Sequence, residues 1–320
     1  MKFYFAPMEG VTKYLYREAF NIYFGNIDKY FTPFISPDKN TCLNKKELND
    51  ILPEHNQGMY VVPQILTNDA DDFIMTSCEL KKYGYNEVNL NLGCPSGTVV
   101  SKKRGSGFLK ETKVLDEFLD RIFSGLDMKI SVKTRIGKDS PDEFDGLIEI
   151  YNKYPMEELI VHPRIQKDFY RNTPNLKAFA DAVKKSKNPL CYNGDIFTAE
   201  DFNRIRGMFP EIDMYMLGRG LIANPGLINF IKSGDIPDNQ TVKQFHDKVL
   251  DGYKKLMFDE KNIMFKMKEF SLYLVHIFSN NEAYIRRIKK SKTLAEYKAA
   301  MNSLFIEQEI VPGAGFIPPA

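Results

Sequence analysis

The sequence predicts an α/β fold: a (β/α)8 TIM barrel followed by a small all-α helical domain. Three observations predict it. Eight short β-rich runs recur, and several, such as IVH and MYML, are apolar throughout, as in parallel strands buried on both faces. Amphipathic segments such as DDFIMTSCELKKYG and TKVLDEFLDRIFSGL lie between them, giving the β–α alternation of a parallel sheet. Past the loop DIPDNQT, whose Asp, Pro and Asn mark a boundary, the strand pattern stops. The expected domains are therefore a barrel over 1–236 and a helical domain over 237–320. An open doubly wound sheet is the competing arrangement, since counting strands does not decide closure.

The strands are expected at 3–6, 29–35, 60–66, 87–92, 129–134, 159–162, 190–192 and 214–217. In such a barrel the chemistry sits at the C-terminal strand ends. Strand one hands Pro7, Met8, Glu9 and Gly10 to its loop, and strand three hands on Gln64. Strand four, NLNLGCPSGT, delivers Asn91 and Cys94, with Gly93 and Pro95 fixing the turn. Strand five, KISVKTRIG, gives Lys133 and Arg135; strand six, LIVHPR, gives His162 and Arg164. Strand seven, CYNGDI, gives Asn193, Gly194 and Asp195; strand eight, MLGRG, gives Gly218, Arg219 and Gly220. Polar groups directly after apolar runs, at nearly every strand end, do not read as core.

The last two loops have phosphate-binding character. Glycine lets backbone N–H groups approach an anion, Arg219 adds a charged fork, and GRGLIANPG opens a helix. NGD and GRG alone also occur as plain turns; their place after strands seven and eight favours the anion site. A lysine at a buried strand end, Lys133, needs an anionic partner, either a ligand or a neighbouring carboxylate. The four histidines show no HExxH or other metal spacing, so no metal is expected.

The helical segments read VKQFHDKVLDGYKKLM, NIMFKMKEFSLYLVHIFS, NEAYIRRIKKS and LAEYKAAMNSLF. Residues 241–320 hold 13 Lys/Arg and 9 Asp/Glu, a net of +4, against −2 for the rest of the chain. The densest run, RRIKKSK at 286–292, is either a solvated helix face or an RNA-backbone patch. The cysteines Cys42, Cys78, Cys94 and Cys191 are scattered without a CxxC pair, which argues against a disulfide framework or zinc cluster. The opening MKFYFAPMEG has too short an apolar run for a signal peptide, and FSLYLVHIF is too short to span a membrane. A cytoplasmic setting, with no membrane and no stable protein partner, is the expectation.

Taken together, APMEGVT, NLNLGCPSGTV, KTRIG, VHPR, YNGDI and LGRG resemble the flavin-dependent tRNA-dihydrouridine synthases in order and approximate spacing. The resemblance covers about 1–235, with the basic glycine loop after LNLGCPS its most specific part. It implies FMN as cofactor, NADPH or NADH as transient reductant, and tRNA as substrate. Pro7 and Met8 would lie against the flavin ring, and Gln64 and Lys133 at its pyrimidine edge. His162, Asn193, Gly194, Asp195, Gly218 and Arg219 would hold its phosphate end. Asn91 and Arg135 would line the uracil pocket, Arg171 would reach the substrate, and Cys94 would be the catalytic acid. The chain departs from the family pattern in two places. HPRIQKDFY stands where relatives often read HGRTxxQGY, and Pro33 stands where many place an acidic residue.

The chemistry agrees with an acid role for the thiol. Reducing the uracil C5–C6 bond needs a hydride at C6 and a proton at C5, and a closed site needs a positioned acid. A thiol with an ordinary pKa of about 8.5 is mostly protonated at neutral pH. The target uridine must leave its stack to react, and KKR at 102–104 and the 286–292 run are candidate phosphate contacts. No GxGxxG follows a strand, which fits a nicotinamide that visits. One alternative keeps the FMN barrel but takes a small unsaturated substrate, such as dihydroorotate/orotate or an enoate. Another is a non-catalytic RNA-binding module, which needs no acid thiol.

Overall fold

A computed structural model describes residues 1–38 and 41–318. Its strands are β1 (Lys2–Phe5), β2 (Lys29–Phe31), β3 (Val61–Val62), β4 (Gln64–Ile65), β5 (Glu87–Leu92), β6 (Lys129–Arg135), β7 (Leu159–His162), β8 (Leu190–Tyr192) and β9 (Met214–Leu217). They form one sheet in the order β3-β2-β1-β9-β8-β7-β6-β5-β4, with every pairing between named strands parallel. The two ends of that order, β3 and β4, are one strand interrupted at Pro63, which has no N–H to give the ladder. The chain bridges the interruption: Asn89 N–H donates to Pro63 O at 2.9 Å, and Ile35 pairs with Ile65. The sheet therefore wraps round on itself as a barrel, and the doubly wound alternative falls. The expected strand runs all appear, with 29–35 shortened to Lys29–Phe31 plus the Ile35 bridge.

Alternation along the strands sorts the side chains. Tyr4, Phe31, Val62, Ile160, Cys191, Met214 and Met216 form one buried apolar cluster. β5 and β6 sit in register with Asn89 opposite Ser131 and Asn91 opposite Lys133, and β4 sets Gln64 opposite Asn89. One side of the interior is thus apolar and the other polar. At the N-terminal strand ends Lys29 Nζ bridges two buried carboxylates, Glu87 at 2.8 Å and Glu158 at 2.9 Å. Tyr60 also donates to Glu87 at 2.9 Å. Burial and the neighbouring Glu87 charge push the Glu158 carboxyl up to about 7.

The chain divides into two compact units. One comprises Met1–Pro7, Lys29–Asp195 and Phe209–Met216; the other comprises Met8–Asp28, Ile196–Met208 and Leu217–Ala320. The first holds the strands, and its longest helices are Ala70–Lys82, Thr112–Gly125, Glu143–Tyr151 and Leu176–Lys185. Helix Ala70–Lys82 starts where Asp69 caps the N–H groups of Asp71 and Asp72, and ends with Lys81 and Lys82 in its last turn.

The second unit is helical. Its longest helices are Asn239–Leu256, Glu260–Leu274 and Leu294–Glu307, followed by Tyr14–Tyr23 and Ala199–Met208, and the predicted segment NEAYIRRIKKS forms helix Glu282–Lys290. Its core is aromatic, with Tyr16 edge-on to Phe245 and Phe270 at 5.3 Å each and Phe24 on Phe245 at 5.3 Å. Among the described residues no helix is long and apolar enough to cross a membrane, and no cluster of His, Cys, Asp and Glu suits a metal ion.

Candidate active site

Within the first unit the C-terminal strand ends bring Gln64, Asn91, Cys94, Lys133, Arg135, His162, Asn193 and Asp195 to one end of the barrel. Cys94 sits on a turn fixed from both sides. The Asn91 side-chain oxygen accepts from the N–H groups of Gly93 at 3.0 Å and Cys94 at 2.9 Å. The chain then returns through helix Gly97–Val100, and Ser106 donates to Cys94 O through its N–H at 3.1 Å and its hydroxyl at 2.7 Å. Gly105 adopts φ +56°, and a Cβ there would lie 2.9 Å from Cys94 O, so only glycine closes this loop.

Asn91 belongs to a buried chain of amides. Its Nδ2 donates to Gln64 Oε1 at 2.7 Å; Gln64 Nε2 donates to Asn89 Oδ1 at 2.8 Å; Asn89 Nδ2 donates to Ser131 Oγ at 2.9 Å. The polarity is forced. Backbone N–H groups make Asn91 Oδ1 an acceptor, so its Nδ2 must donate, and each amide in turn follows. At the far end the Ser131 hydroxyl faces the Val88 carbonyl, which only accepts. Gln64 therefore holds its amide in one orientation.

Lys133 lies beside Asn91 in register. Its ammonium has no hydrogen-bond or ion-pair partner among the described residues. Burial, with the Arg135 charge nearby, pushes its pKa from 10.5 down to about 8, while Cys191 and Cys94 act the other way. A largely buried cation without an acceptor among the described residues suits an anionic group on a ligand.

Arg135 is 1% exposed and donates to three backbone carbonyls, Gly93 at 2.9 Å, Ile165 at 2.8 Å and Phe169 at 2.7 Å. It ties the Cys94 turn to the loop after β7. Burial pushes its pKa down to about 10. Arg164, absent from the expected site set though its VHPR motif carries it, is equally buried. It forks onto Asp195 at 2.9 and 2.6 Å and meets His162 Nε2 at 3.0 Å. It also fastens the Arg171 and Asn172 carbonyls. Both Asp195 oxygens thus engage Arg164. Asn193 donates to Met216 O at 2.8 Å, and a Cβ on Gly194 would fall 2.1 Å from the Tyr192 hydroxyl. Pro7 is partly exposed at the end of β1, and Arg171 is exposed on the β7 loop. In the 102–104 run, Arg104 bonds Asn68 and Ser36, and Lys103 pairs with Glu111 at 3.0 Å.

Met8, Gly218 and Arg219 belong to the second unit. Met8 opens a tight turn, its N–H on Thr12 Oγ1 at 2.8 Å and its carbonyl accepting from Val11 and Thr12. Gly218 precedes the short helix Arg219–Ala223. The Arg219 guanidinium lies against two rings, Phe197 at 5.1 Å and Phe316 at 5.7 Å. Phe316 is seated in turn against Tyr273 and His276. Sequence reading missed Asn89, Ser131, Ser106 and Phe316. Asn89 shares the Asn91 face of NLNL and was open to discovery by alternation; the others depend on contacts distant in sequence.

The family model described as Dihydrouridine synthase (Dus) matches residues 4–310. The tRNA-dihydrouridine(16) synthase of Pseudomonas putida is 30% identical over 239 residues, covering 71% of this chain and 72% of that protein. That of Aquipseudomonas alcaligenes is 24% identical over 266 residues, covering 80% and 84%. Among solved structures, the old yellow enzyme from Trypanosoma cruzi superposes with a TM-score of 0.52 at 9% identity, over 75% of this chain and 91% of that one. A morphinone reductase in complex with tetrahydroNAD gives 0.51 at 11%, over 75% and 89%. These two likenesses establish the barrel fold.

Proposed function

The chain belongs to the dihydrouridine synthase family, and from that premise we propose that it reduces a uridine of tRNA to dihydrouridine with FMN and a nicotinamide dinucleotide. The observation that carries the reading is the placement of Cys94, on its Asn91-capped turn, one strand over from Lys133, whose ammonium has no partner among the described residues. The residues fit a flavin. Lys133 offers a cation to the pyrimidine edge, and Gln64 offers an amide of fixed orientation beside it. His162, Asn193, Gly194 and Asp195, with Gly218 and Arg219, are the proposed phosphate-end residues, and Pro7 and Met8 the ring contacts. When bound, the flavin supplies the hydride for C6 of the uracil ring.

Cys94 gives its proton to C5 and is reprotonated from solvent between turnovers. The ammonium of Lys133 would hold the flavin's pyrimidine edge and offer it a counter-charge. Asn91 holds the thiol's turn, Arg135 holds the loop that faces it, and Arg171 reaches toward the RNA. The helical segment from residue 237 onward, with its basic run 286–292, is the proposed RNA-binding domain. On helix Glu282–Lys290 the residues Tyr284 and Ile288 are buried while Arg286, Lys289 and Lys290 are exposed. A small unsaturated substrate fits the barrel alone; the family match running to residue 310 favours RNA.

The test is Cys94→Ala. The variant should still bind FMN and be reduced by NADPH, yet lose most dihydrouridine formation. Undiminished product would remove the acid assignment. A colourless protein that no FMN reconstitutes would remove the flavin reading altogether.

A further inference from the structure

The loop after β7 carries a feature the reaction outlined above does not use. Phe169 has φ +50° and ψ −103°, a conformation that disfavours any residue with a side chain and that persists only where the surroundings hold it. The surroundings here do hold it. Arg135 Nη2 donates to Phe169 O at 2.7 Å and Nη1 to Ile165 O at 2.8 Å. Asp168 accepts from Ile165 N–H at 3.0 Å and from Asn172 Nδ2 at 2.6 Å. Gln166 Nε2 reaches Pro95 O, beside Cys94, at 3.1 Å.

The outcome is two adjacent aromatic side chains held out at the surface, Phe169 at 44% and Tyr170 at 49% exposure. Tyr170 is braced from below by the Arg135 guanidinium, 5.6 Å from its ring centre. The Phe169 ring has no aromatic partner among the described residues. Next along, the exposed Arg171 has no carboxylate partner among them either.

We propose that Phe169 is a stacking platform for an unpaired RNA base adjacent to the target uridine. The inference rests on the reading of this chain as a tRNA-uridine reductase. A uridine drawn out of its stack leaves a neighbouring base with one face bare, and an aromatic ring replaces the lost partner. An aromatic side chain beside a cation is the usual pairing for a base and its phosphate. The same guanidinium binds Gly93 O and Phe169 O, which anchors the platform to the Cys94 turn. Glycine would relieve the backbone at position 169, yet this chain carries a large, exposed ring there, available to a ligand.

The test uses tRNA carrying 2-aminopurine on either side of the target uridine, with wild-type protein, Phe169→Gly, Phe169→Ala and Phe169→Trp. Stacking quenches 2-aminopurine fluorescence. Wild type and Phe169→Trp should quench one flanking position. Phe169→Gly and Phe169→Ala should abolish that quenching and raise the tRNA KM about tenfold, the scale of one base–aromatic stack. Phe169→Gly should also raise Tm, since it removes the disfavoured conformation. A Phe169→Gly protein of higher Tm with unchanged quenching and KM would overturn the platform. A wild-type protein that binds no tRNA at all would instead overturn the underlying reading.

Discussion

Removing the ammonium of Lys133 should make the flavin-free protein more stable, and most so at neutral pH. The lowered pKa, 10.5 to about 8, states how much the folded protein disfavours the charged form. A drop of that size corresponds to roughly 3.4 kcal/mol, at about 1.36 kcal/mol per pH unit. Lys133 keeps some solvent contact, so screening leaves about half of that, roughly 1.5 kcal/mol. The sign follows from proton linkage. Below pH 8 both folded and unfolded chains carry the charge, and the fold bears the whole penalty. Between 8 and 10.5 the unfolded chain binds the extra proton, so wild-type stability rises with pH through that window.

Lys133→Met should therefore exceed wild type by about 1.5 kcal/mol near pH 7, and by about 1 kcal/mol less near pH 9.5. Urea denaturation followed by far-UV circular dichroism measures both, since the chain has no tryptophan. Other groups that titrate in the same range cancel in the comparison between the two proteins. The same variant should bind FMN at least tenfold more weakly, because the cation that suits an anionic edge is gone. Equal stability differences at the two pH values would refute the placement of an uncompensated ammonium at Lys133. So would a variant less stable than wild type at both.

Glu158→Gln should flatten the pH dependence of stability. The Glu158 carboxyl is raised from 4.5 to about 7, so its contribution is full below pH 4.5 and is lost as pH rises through 7; urea midpoints across that range report it. Asn89→Leu should cost about 1–3 kcal/mol in urea denaturation and loosen FMN, because Gln64 Nε2 loses its buried acceptor. Asn89→Asp keeps an acceptor and should bind FMN more tightly than the leucine variant; equal loss in both would show that amide polarity is irrelevant. Neutralising Arg286, Lys289 and Lys290 together should raise the tRNA KM and reduce the slope of log K against log salt by about one per lost phosphate contact. An unchanged slope would return the run to an ordinary solvated face.

The strands and the identity of the polar strand-end residues were legible in the sequence, because a period of two and an apolar run are local properties of the chain; the order and closure of the sheet were not. NLNL followed by GCP already placed Asn91 and Cys94 at a strand end, and the helices beyond residue 237 followed from 3.6-residue spacing. Partners were not legible. Gln64, Asn89 and Ser131 share a row only because parallel pairing sets three strands in one register, and that register decides which way the Gln64 amide points. Lys29 meets Glu87 and Glu158 across 58 and 129 residues of chain. Arg135 reads as a pocket residue in KTRIG, but folding gives its donors three backbone carbonyls. Arg219 finds Phe316, and Phe169 takes a conformation that no local preference selects. Side-chain pattern fixes which face a residue occupies; distance, hydrogen-bond direction and backbone strain arise only when elements remote in sequence close on one another.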